Sequence, residues 1–478
     1  MKFHEYKISD EILKALDVLG YSEATKVQEA VIEDILNNVD VIAKAQTGSG
    51  KTAAFGIPLC EKVNAEEKEP QVLILTPTRE LAIQVKDEIS NIGRLKKLRA
   101  VAVYGKQPMS IQTRELRQRI HFIVGTPGRT MDHIKRGNLK LTNIKYLVLD
   151  ESDEMLNMGF IDQVEEIIEM VPKNRVTLLF SATMPDRISR LCKKYIKNPK
   201  EIEIDCENLT VQKITQGYYE VKEFEKGALL ERIIYSEVPG STIIFCNTKE
   251  KVDEVCKQIK KLGVSCEKLH GGLEQRDRTA TMERFKLGEF QFLIATDVAS
   301  RGIHIEDITH VINYDIPMEK EAYVHRIGRT GRAGKEGKAF TFITPFEYKF
   351  FNAIEEYIGE NIPKSEEPST ASVREGEIIF REKIKKAPKK KEVKSQRLNK
   401  EVSKIYIGAG KKKKLRAGDI VGAICCIDGI TMEDIGIIDV QDNVSYVDIL
   451  NGKGKVVLTN LSKSKIKGKT VKIEMAKR

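Results

Sequence analysis

Eight consecutive residues near the amino end have the types and spacing of a phosphate-binding loop. They are Ala45, Gln46, Thr47, Gly48, Ser49, Gly50, Lys51 and Thr52. The run follows the apolar stretch Val41–Ala43 and precedes a helical pattern, which is the strand–loop–helix setting that such a loop requires. Its glycines let backbone N–H groups close around phosphate oxygens at the positive end of the next helix. We expect Lys51 to reach the β- and γ-phosphates of a nucleotide and the Thr52 hydroxyl to ligate Mg²⁺, although Ala45 stands where the general pattern has glycine.

Two adjacent carboxylates follow another apolar run. Tyr146–Leu149 has the composition of a buried strand, and Asp150 and Glu151 come directly after it. An acid at the carboxyl end of a strand in an open α/β sheet faces the ligand crevice. Asp150 therefore fits the partner of Mg²⁺, and Glu151 fits the residue that orients or deprotonates the attacking water. The alternative is a helix cap, a role that Ser152 or Asp153 could fill equally well.

A third cluster is basic. Residues 325–332 read His-Arg-Ile-Gly-Arg-Thr-Gly-Arg, so that Arg326, Arg329 and Arg332 follow one another at intervals of three between glycines. Arginines of this kind stabilise the charge that develops on a phosphoryl group during its transfer. The cluster lies far from the phosphate loop in sequence, in a second α/β region. Catalysis would then require the two regions to close on each other.

The elements that must position these residues show as short apolar runs alternating with helical patterns from residue 40 to residue 345. Continuous apolar runs between amphipathic helices are typical of buried parallel strands. Besides Val41–Ala43, the predicted strands are Val72–Leu75, Val101–Tyr104, Phe122–Val124, Tyr146–Leu149, Val176–Phe180, Thr242–Phe245, Phe292–Ala295, His310–Asn313 and Ala339–Ile343. The polar stretch Asp205–Gln216 separates two sets, which predicts two α/β lobes in tandem.

A chain of 478 residues is too long for one hydrophobic core, so further domains are expected. We predict a first lobe over residues 1–206 and a second over residues 207–360. Residues 361–403, rich in Lys, Glu, Ser and Pro, are predicted to be a basic linker. From residue 404 the pattern changes to short strands and turns, which predicts a small α+β domain over residues 404–478.

The net charge of +10 is concentrated beyond the two lobes. Residues 361–478 hold 27 Lys and Arg against 15 Asp and Glu, a balance of +12, so the preceding 360 residues carry −2. A block of this kind attracts phosphate backbones without reading their sequence, and a merely solvated surface is the alternative. No apolar run approaches the length of about 18 residues that spans a membrane. The eight cysteines lack metal-ligand spacing and the amino end lacks a secretory signal, so we expect a cytoplasmic protein with reduced thiols and no membrane partner.

With these residues in hand, the chain resembles the DEAD-box RNA helicases of superfamily 2 over about residues 3–360. The resemblance rests on motifs in a fixed order: residues 45–52, 77–82, 126–129, 150–153, 181–183, 244–248, 275–278, 295–297 and 325–332. It implies two RecA-like lobes, each a parallel sheet flanked by helices. It also implies RNA-stimulated ATP hydrolysis that unwinds or remodels structured RNA.

The same resemblance assigns roles to individual residues. It places Phe3, Tyr21, Thr25 and Gln28 in the motif that recognises adenine, and Asp297 in the nucleotide site. The catalytic set that it implies is Lys51, Asp150, Glu151, Arg329 and Arg332. The RNA contacts that it implies are Pro77, Thr78, Arg79, Thr126, Pro127, Gly128, Arg129, Gln275 and Arg278.

Three residues depart from the family pattern. Ser152 stands where the family has Ala, and its hydroxyl could perturb the link to the motif at residues 181–183. Lys106 replaces the second glycine of a Gly-Gly element and adds a cation near the RNA path. His304 stands where an Asp is associated with the ATP ribose, which puts that contact in doubt.

The region from Ile405 to Lys472 resembles the C-terminal RNA-binding domain of DbpA-type bacterial helicases. That resemblance implies a βαββαβ fold like an RNA-recognition motif, which binds large-subunit (23S) ribosomal RNA during ribosome assembly. The stretch expected to stack bases keeps only Tyr446, and its acids would repel phosphate. We therefore expect RNA on the basic residues Lys411, Lys412, Lys413, Lys414 and Arg416, and not on the sheet.

Two other functions stay open at this point. RecA-like lobes also serve DNA translocases, although the Pro-Thr-Arg-Glu-Leu-Ala motif and the C-terminal domain favour RNA. The chain could also be a non-enzymatic RNA-binding scaffold whose ATPase has decayed, with Ser152 and His304 as symptoms. The presence of every implied catalytic residue argues against decay. RNA-stimulated phosphate release, compared with DNA, distinguishes all three.

Overall fold

The computed structural model describes residues 1–45, 48–204, 214–297, 308–331, 336–385, 402–462, 464–468 and 470–476. Four residues singled out in the sequence, Gln46, Thr47, His304 and Arg332, lie outside the described residues.

The first lobe is built on a seven-stranded parallel sheet in the order β3-β4-β2-β5-β6-β1-β7. Its strands are β1 Val41–Lys44, β2 Val72–Leu75, β3 Ala100–Val103, β4 Phe122–Gly125, β5 Tyr146–Asp150, β6 Val176–Ser181 and β7 Lys200–Glu203. Six of them were predicted. The edge strand β7 was missed because its side chains are mostly exposed and form no apolar run.

Helices cover both faces of this sheet and enclose two apolar cores. They are α1 Asp10–Leu19, α2 Lys26–Leu36, α3 Lys51–Lys62, α4 Arg79–Ile92, α5 Met109–Leu116, α6 Pro127–Lys135, α7 Ser152–Asn157, α8 Ile161–Met170 and α9 Asp186–Tyr195. Local signals fix several helix starts. Thr25 and Gln28 form a capping box at α2, and the Thr78 hydroxyl accepts a hydrogen bond from the Leu81 N–H at α4.

The second lobe contains a six-stranded parallel sheet in the order β10-β11-β9-β12-β13-β8. Its strands are β8 Ile214–Glu220, β9 Ser241–Phe245, β10 Cys266–Leu269, β11 Phe292–Ala295, β12 Ile308–Asn313 and β13 Gly337–Ile343. Its helices are α10 Lys226–Glu237, α11 Lys249–Lys261, α12 Gln275–Lys286, α13 Lys320–Ile327 and α14 Tyr348–Ile358. The prediction of a second α/β lobe is confirmed, although β8 and β10, the two edge strands, were missed.

The region predicted to be a linker begins with an ordered helix, α15, over Thr370–Lys385. The Phe380 ring is fully buried against α10, where it meets the Tyr235 ring edge-on at 5.6 Å. The linker prediction over residues 361–403 is therefore wrong for this helix. Its apolar residues Val373, Phe380 and Ile384 share one helical face, but the charged residues between them hid that pattern.

The third domain has the order of elements that was predicted, βαββαβ. A four-stranded antiparallel sheet, β15-β16-β14-β17, packs against two helices around one apolar core. The elements are β14 Ser403–Ile407, α16 Ala417–Cys425, β15 Ile435–Val440, β16 Ser445–Ile449, α17 Gly454–Leu461 and β17 Ile473–Met475. The domain boundaries at residues 206 and 403 stay predictions, whereas the packing of α15 places the end of lobe two beyond residue 360.

Two further observations concern the cysteines and the helices. Each cysteine that the structure describes is a free thiol, and five of them are buried. Among the described helices, none combines the length and the apolar composition needed to cross a bilayer.

Candidate active site between the two lobes

A cavity of about 320 Å³ opens between the phosphate loop, the start of α2 and the acidic pair at the end of β5. It is lined by Gly20, Tyr21, Ser22, Glu23, Thr25, Gln28, Gly48, Ser49, Gly50, Lys51, Thr52, Ala53, Gln84, Glu88, Asp150 and Glu151. The structure thus gathers ten of the residues that the sequence assigned to nucleotide binding or catalysis. Phe3 and Asp297 do not line this cavity.

The phosphate loop has a backbone that only glycine adopts freely. Gly48 and Gly50 have φ values of 85° and 94°, in the left-handed region. A Cβ on Gly50 would also lie 2.7 Å from Gln28 Nε2. Buried Lys51 donates a hydrogen bond from Nζ to the Ala45 carbonyl, 3.1 Å away. Its ammonium group is therefore held over the loop by backbone oxygen.

The predicted adenine motif braces this loop from the side. The Thr25 hydroxyl donates to the Ser49 carbonyl at 2.9 Å, and Gln28 Nε2 donates to the Gly50 carbonyl at 3.2 Å. Gln28 Oε1 in turn accepts from the Thr25 N–H at 2.9 Å. The Phe3 ring lies edge-on to the Tyr21 ring, 6.2 Å between centroids, so Phe3 positions a cavity wall from behind.

The chemistry of the acidic pair fits a divalent cation. Asp150 is buried, and among the described residues its Oδ1 has no hydrogen-bond partner. Burial raises the pKa of the Asp150 carboxyl to about 7, against the opposing effect of the Lys51 ammonium. A cation beside it would restore the ionised carboxylate. Thr52 lines the same cavity, so the two predicted ligands of Mg²⁺ belong to one site.

The residues after the acidic pair hold the neighbouring strand ends together. Asp153 Oδ2 accepts from the backbone N–H and the hydroxyl of Thr183, at 2.8 and 2.9 Å. The hydroxyl of Ser152 is directed to the Leu149 carbonyl, 3.4 Å away, and not toward this pair. The departure at Ser152 therefore leaves the link between the two motifs intact.

The second lobe closes over the acidic pair through α13 and the residues after it. His325 Nδ1 lies 2.6 Å from Glu154 Oε1, across the cleft. Burial lowers the pKa of the Arg329 guanidinium, and the carboxylates of Glu151 and Glu154 oppose that shift. Arg329 therefore lies within electrostatic reach of the carboxylate predicted to act on water.

Arg326, the first arginine of the same cluster, has a different environment. It is buried and binds the Asp297 carboxylate through two hydrogen bonds, of 2.5 and 2.6 Å. It also donates to Asn247 Oδ1 at 2.9 Å. Arg326 thus ties three motifs of the second lobe together.

The predicted RNA contacts of the two lobes meet on one side of the cleft. Arg79 Nη1 donates to Gln275 Oε1 at 3.0 Å. Glu80 accepts from Gln275 at 3.0 Å and pairs with Arg278 at 2.8 Å.

The other predicted RNA contacts lie at the strand ends of the first lobe. Pro77 and Thr78 follow β2, and Thr126, Pro127 and Gly128 follow β4. These strands are neighbours, so both segments lie at one edge of the sheet. Arg129 there donates to the Gln107 carbonyl at 2.8 Å.

The basic residues of the third domain form a separate exposed surface. Lys411–Lys413 make a single 3₁₀ turn before α16, and Lys414 and Arg416 are exposed beside it. None of them lines the nucleotide cavity.

Sequence reasoning did not assign a role to Glu80, Glu154 or His325. All three make contacts across the cleft. Each stands inside or next to a recognised motif, but which acid pairs with which cation depends on how the lobes close. The only signal in the sequence was an acidic residue in a motif on one lobe and a basic residue in a motif on the other.

Comparison with known proteins accounts for all three domains. The DEAD/DEAH box helicase domain matches residues 25–191, and the helicase conserved C-terminal domain matches residues 225–334. The DbpA RNA binding domain matches residues 404–475. The ATP-dependent RNA helicase DbpA of Bacillus subtilis is 53% identical over 474 residues, which cover 99% of each chain. The chain belongs to the DEAD-box ATP-dependent RNA helicases of the DbpA type.

Further DEAD-box proteins match over a smaller part of the chain. We call the two lobes together the motor. The DEAD-box ATP-dependent RNA helicase CshA of Geobacillus kaustophilus is 46% identical over 375 residues, 78% of this chain and 80% of that one. The structure of Dbp5 from S. cerevisiae bound to RNA and ADP BeF3 is 32% identical, with a TM-score of 0.70. It covers 80% of this chain and 99% of that one. Two RecA-like lobes and an RNA-dependent ATPase follow, which decides against a DNA translocase and a decayed scaffold.

Proposed function

We propose that this DEAD-box helicase hydrolyses ATP with Mg²⁺ at the cleft described above. It uses this hydrolysis to unwind or remodel large-subunit (23S) ribosomal RNA during ribosome assembly. The observation that carries the catalytic part is the contact across the closed cleft between His325 and Glu154, at 2.6 Å. It places the motif that contains Arg329 over the acidic pair, whose carboxylate at Glu151 affects the pKa of the Arg329 guanidinium. The match to the DbpA RNA binding domain supports the choice of RNA. Ribosome assembly takes place in the bacterial cytoplasm, so we place the enzyme there.

The catalytic roles follow from charge and position. Lys51 and the loop N–H groups bind the phosphates, and Mg²⁺ held by Asp150 and Thr52 would neutralise charge on the phosphate oxygens. Glu151 orients the attacking water. Arg329, with Arg332 in the same motif, stabilises the charge on the transferring phosphoryl group. Because Arg329 belongs to the second lobe, hydrolysis depends on closure.

RNA enters this scheme at the side of the cleft where Arg79, Gln275 and Arg278 meet. These side chains come from both lobes, so a strand bound to them favours the closed state. Closure in turn brings Arg329 to Glu151, which is a physical reason for RNA-stimulated hydrolysis. The basic surface at Lys411–Lys414 would meanwhile hold a second part of the same ribosomal RNA.

The test is phosphate release by the full chain with a large-subunit ribosomal fragment and with an unrelated RNA of equal length. We expect half-maximal stimulation at a concentration roughly tenfold lower with the ribosomal fragment, because the third domain raises its local concentration. Glu151→Gln should bind ATP and RNA normally and lose turnover, since its carboxylate acts on water and not on bound nucleotide.

Glu166→Gln, which removes an exposed carboxylate from α8, is the control for loss of charge in the first lobe. Equal stimulation by the two RNAs would contradict the ribosomal target. Turnover of Glu151→Gln within about threefold of the parent would contradict the assigned catalytic role.

A further inference from the structure

The sheet of the third domain has one apolar face and one charged face. On β16, Val447 and Ile449 are buried in the domain core, and the alternate residues Tyr446 and Asp448 project to the other side. Asp439 on β15 projects to the same side. In RNA-recognition folds this face is where bases stack. Here Asp439 and Asp448 stand on it, and Lys404 Nζ lies 3.8 Å from Asp448 Oδ1. These three side chains together carry a net negative charge, which is the sign of the RNA backbone.

The acidic sheet face lies against lobe one. Asp448 Oδ2 is 3.4 Å from Arg94 Nε, and Asp439 Oδ1 is 3.3 Å from Arg99 Nη2. Both arginines belong to the segment that joins α4 to β3, which we call the basic ridge (residues 94–99). From the same ridge, Lys97 Nζ donates to the Met432 carbonyl at 3.1 Å.

The central pair is shielded from solvent. The Arg94 and Asp448 side chains are 14% and 4% exposed. A pair withdrawn from water to this degree is sensitive to geometry, because the cost of desolvating both charges is offset only while they stay close together. The Asp448 carboxylate also has Lys404 as a neighbour within the third domain. A second contact lies outside the ridge, where Lys14 Nζ donates to Asn451 Oδ1 at 3.3 Å. The interface therefore has one preferred orientation.

We propose that the acidic sheet face is a docking surface for the basic ridge of lobe one, and that this contact fixes the third domain on the motor while RNA is bound elsewhere on that domain. Lys411–Lys414 and Arg416 stay exposed when the sheet is docked. The docked domain can thus hold RNA at a fixed position relative to the cleft. Only this consequence for RNA rests on the proposed function.

The competing use of the same surface is RNA binding. A cavity of about 480 Å³ remains between the sheet and lobe one, with Tyr446, Arg94 and Arg99 among its lining residues. A tyrosine between two arginines could stack a base and hold its phosphate. The two carboxylates disfavour this, since each already occupies the arginine that would otherwise meet phosphate.

A charge-swap cycle in the full chain tests the docking. Arg99→Asp and Asp439→Arg should each release the third domain, and the double variant should restore the pair with reversed sign. The readout is the radius of gyration from small-angle X-ray scattering without RNA. We expect both single variants to be expanded relative to the parent, and the double variant to return to the parent value.

Arg119→Asp is the matched control, because Arg119 is an exposed arginine of lobe one whose partner, Glu66, belongs to the same lobe. It should leave the radius unchanged. Single variants as compact as the parent, or a double variant that stays expanded, overturn the proposal. Because this readout contains no RNA, it is independent of whether the ribosomal target is correct.

Binding and turnover then separate the two uses of the sheet. In the single variants, affinity for a ribosomal hairpin should stay unchanged while the RNA concentration for half-maximal ATPase rises roughly tenfold, since only the coupling of the domains is removed. Tyr446→Ala should leave hairpin affinity unchanged. If Tyr446→Ala weakens RNA binding tenfold or more, the sheet is an RNA surface and the docking proposal fails.

Discussion

Lys106 has a backbone conformation that ordinarily belongs to glycine. Its φ is 62°, and it stands where the Gly-Gly element of the family pattern has its second glycine. A side chain in the left-handed region costs about 1 kcal/mol. The cation that it carries is exposed. Both neighbours in the chain lie at predicted RNA contacts: Gly105 lies against the Arg79 guanidinium, and the Gln107 carbonyl accepts a hydrogen bond from Arg129. Lys106 thus adds a positive charge to the surface that we assign to RNA.

Changing Lys106 to Gly should therefore move stability and RNA binding in opposite directions. The free energy of unfolding of lobe one should rise by about 1 kcal/mol, because backbone strain is relieved. RNA should bind more weakly, and the slope of log affinity against log salt should fall by about one. Denaturant titration and binding at several salt concentrations measure the two effects.

Lys106→Gln separates charge from backbone strain. It removes the cation and keeps a side chain in the left-handed region, so the salt slope should fall as in the glycine variant while stability stays at the parent value. Equal RNA affinity of the parent and both variants would show that Lys106 does not contact the backbone of RNA.

Residues whose partners are close in sequence were predictable, and those whose partners lie on the other lobe were not. Gly48, Gly50 and Lys51 form a local motif whose geometry depends on a strand and a helix that the sequence also shows. The contact between His325 and Glu154 depends on how two separately folded lobes close. No pattern within either segment contains that information.

At the scale of elements, the strands that sequence reasoning missed in the motor are all edge strands. β7, β8 and β10 have a neighbour on one side only. Their side chains are only partly covered, so they lack the continuous apolar run that identifies β2 or β5. α15 was missed for a related reason, because its apolar face is narrow and surrounded by charge.

At Gly376 the backbones of α15 and α10 approach each other closely. A Cβ there would lie 2.0 Å from the Tyr235 carbonyl oxygen, and that oxygen is backbone that cannot rotate away. Lys383 Nζ also donates to the Val238 and Pro239 carbonyls at the end of α10, at 3.0 and 2.8 Å. Both contacts indicate that α15 is an integral part of lobe two.

Gly376→Ala should therefore destabilise lobe two by about 1–3 kcal/mol, as overpacking does in a core. Helix propensity alone predicts the opposite sign, since Ala is favoured over Gly by about 1 kcal/mol inside a helix. Gly422→Ala in α16 is the matched control, because a Cβ there meets open space. It should stabilise its domain. Thermal unfolding of the full chain measures both, and a stabilised Gly376→Ala variant would show that α15 does not pack as described.

At the scale of the whole molecule, the positive charge lies in the part of the chain that follows the motor. Residues 1–360 carry −2 and residues 361–478 carry +12. A motor without surplus positive charge should bind the RNA backbone weakly, so we expect most of the affinity to come from the remainder of the chain.

A truncation meant to isolate the motor has to keep α15, because ending before Thr370 would expose the surface that Phe380 covers.

The basic surface of the third domain should supply both the affinity for RNA and the preference for ribosomal RNA. Lys412, Lys413 and Arg416 are exposed, so changing all three to Ala should leave the fold and the basal ATPase intact. Each cation that no longer neutralises a phosphate reduces the salt slope by about one, so removing three of them should lower it by up to about three. The preference for a ribosomal fragment over an unrelated RNA of equal length should fall with it. Lys349→Ala on α14, an exposed lysine of lobe two, is the control for loss of charge alone. The triple variant could instead keep the parent's ratio of half-saturating concentrations for the two RNAs. The basic surface would then attract RNA without selecting it, and another part of the chain would determine the preference for ribosomal RNA.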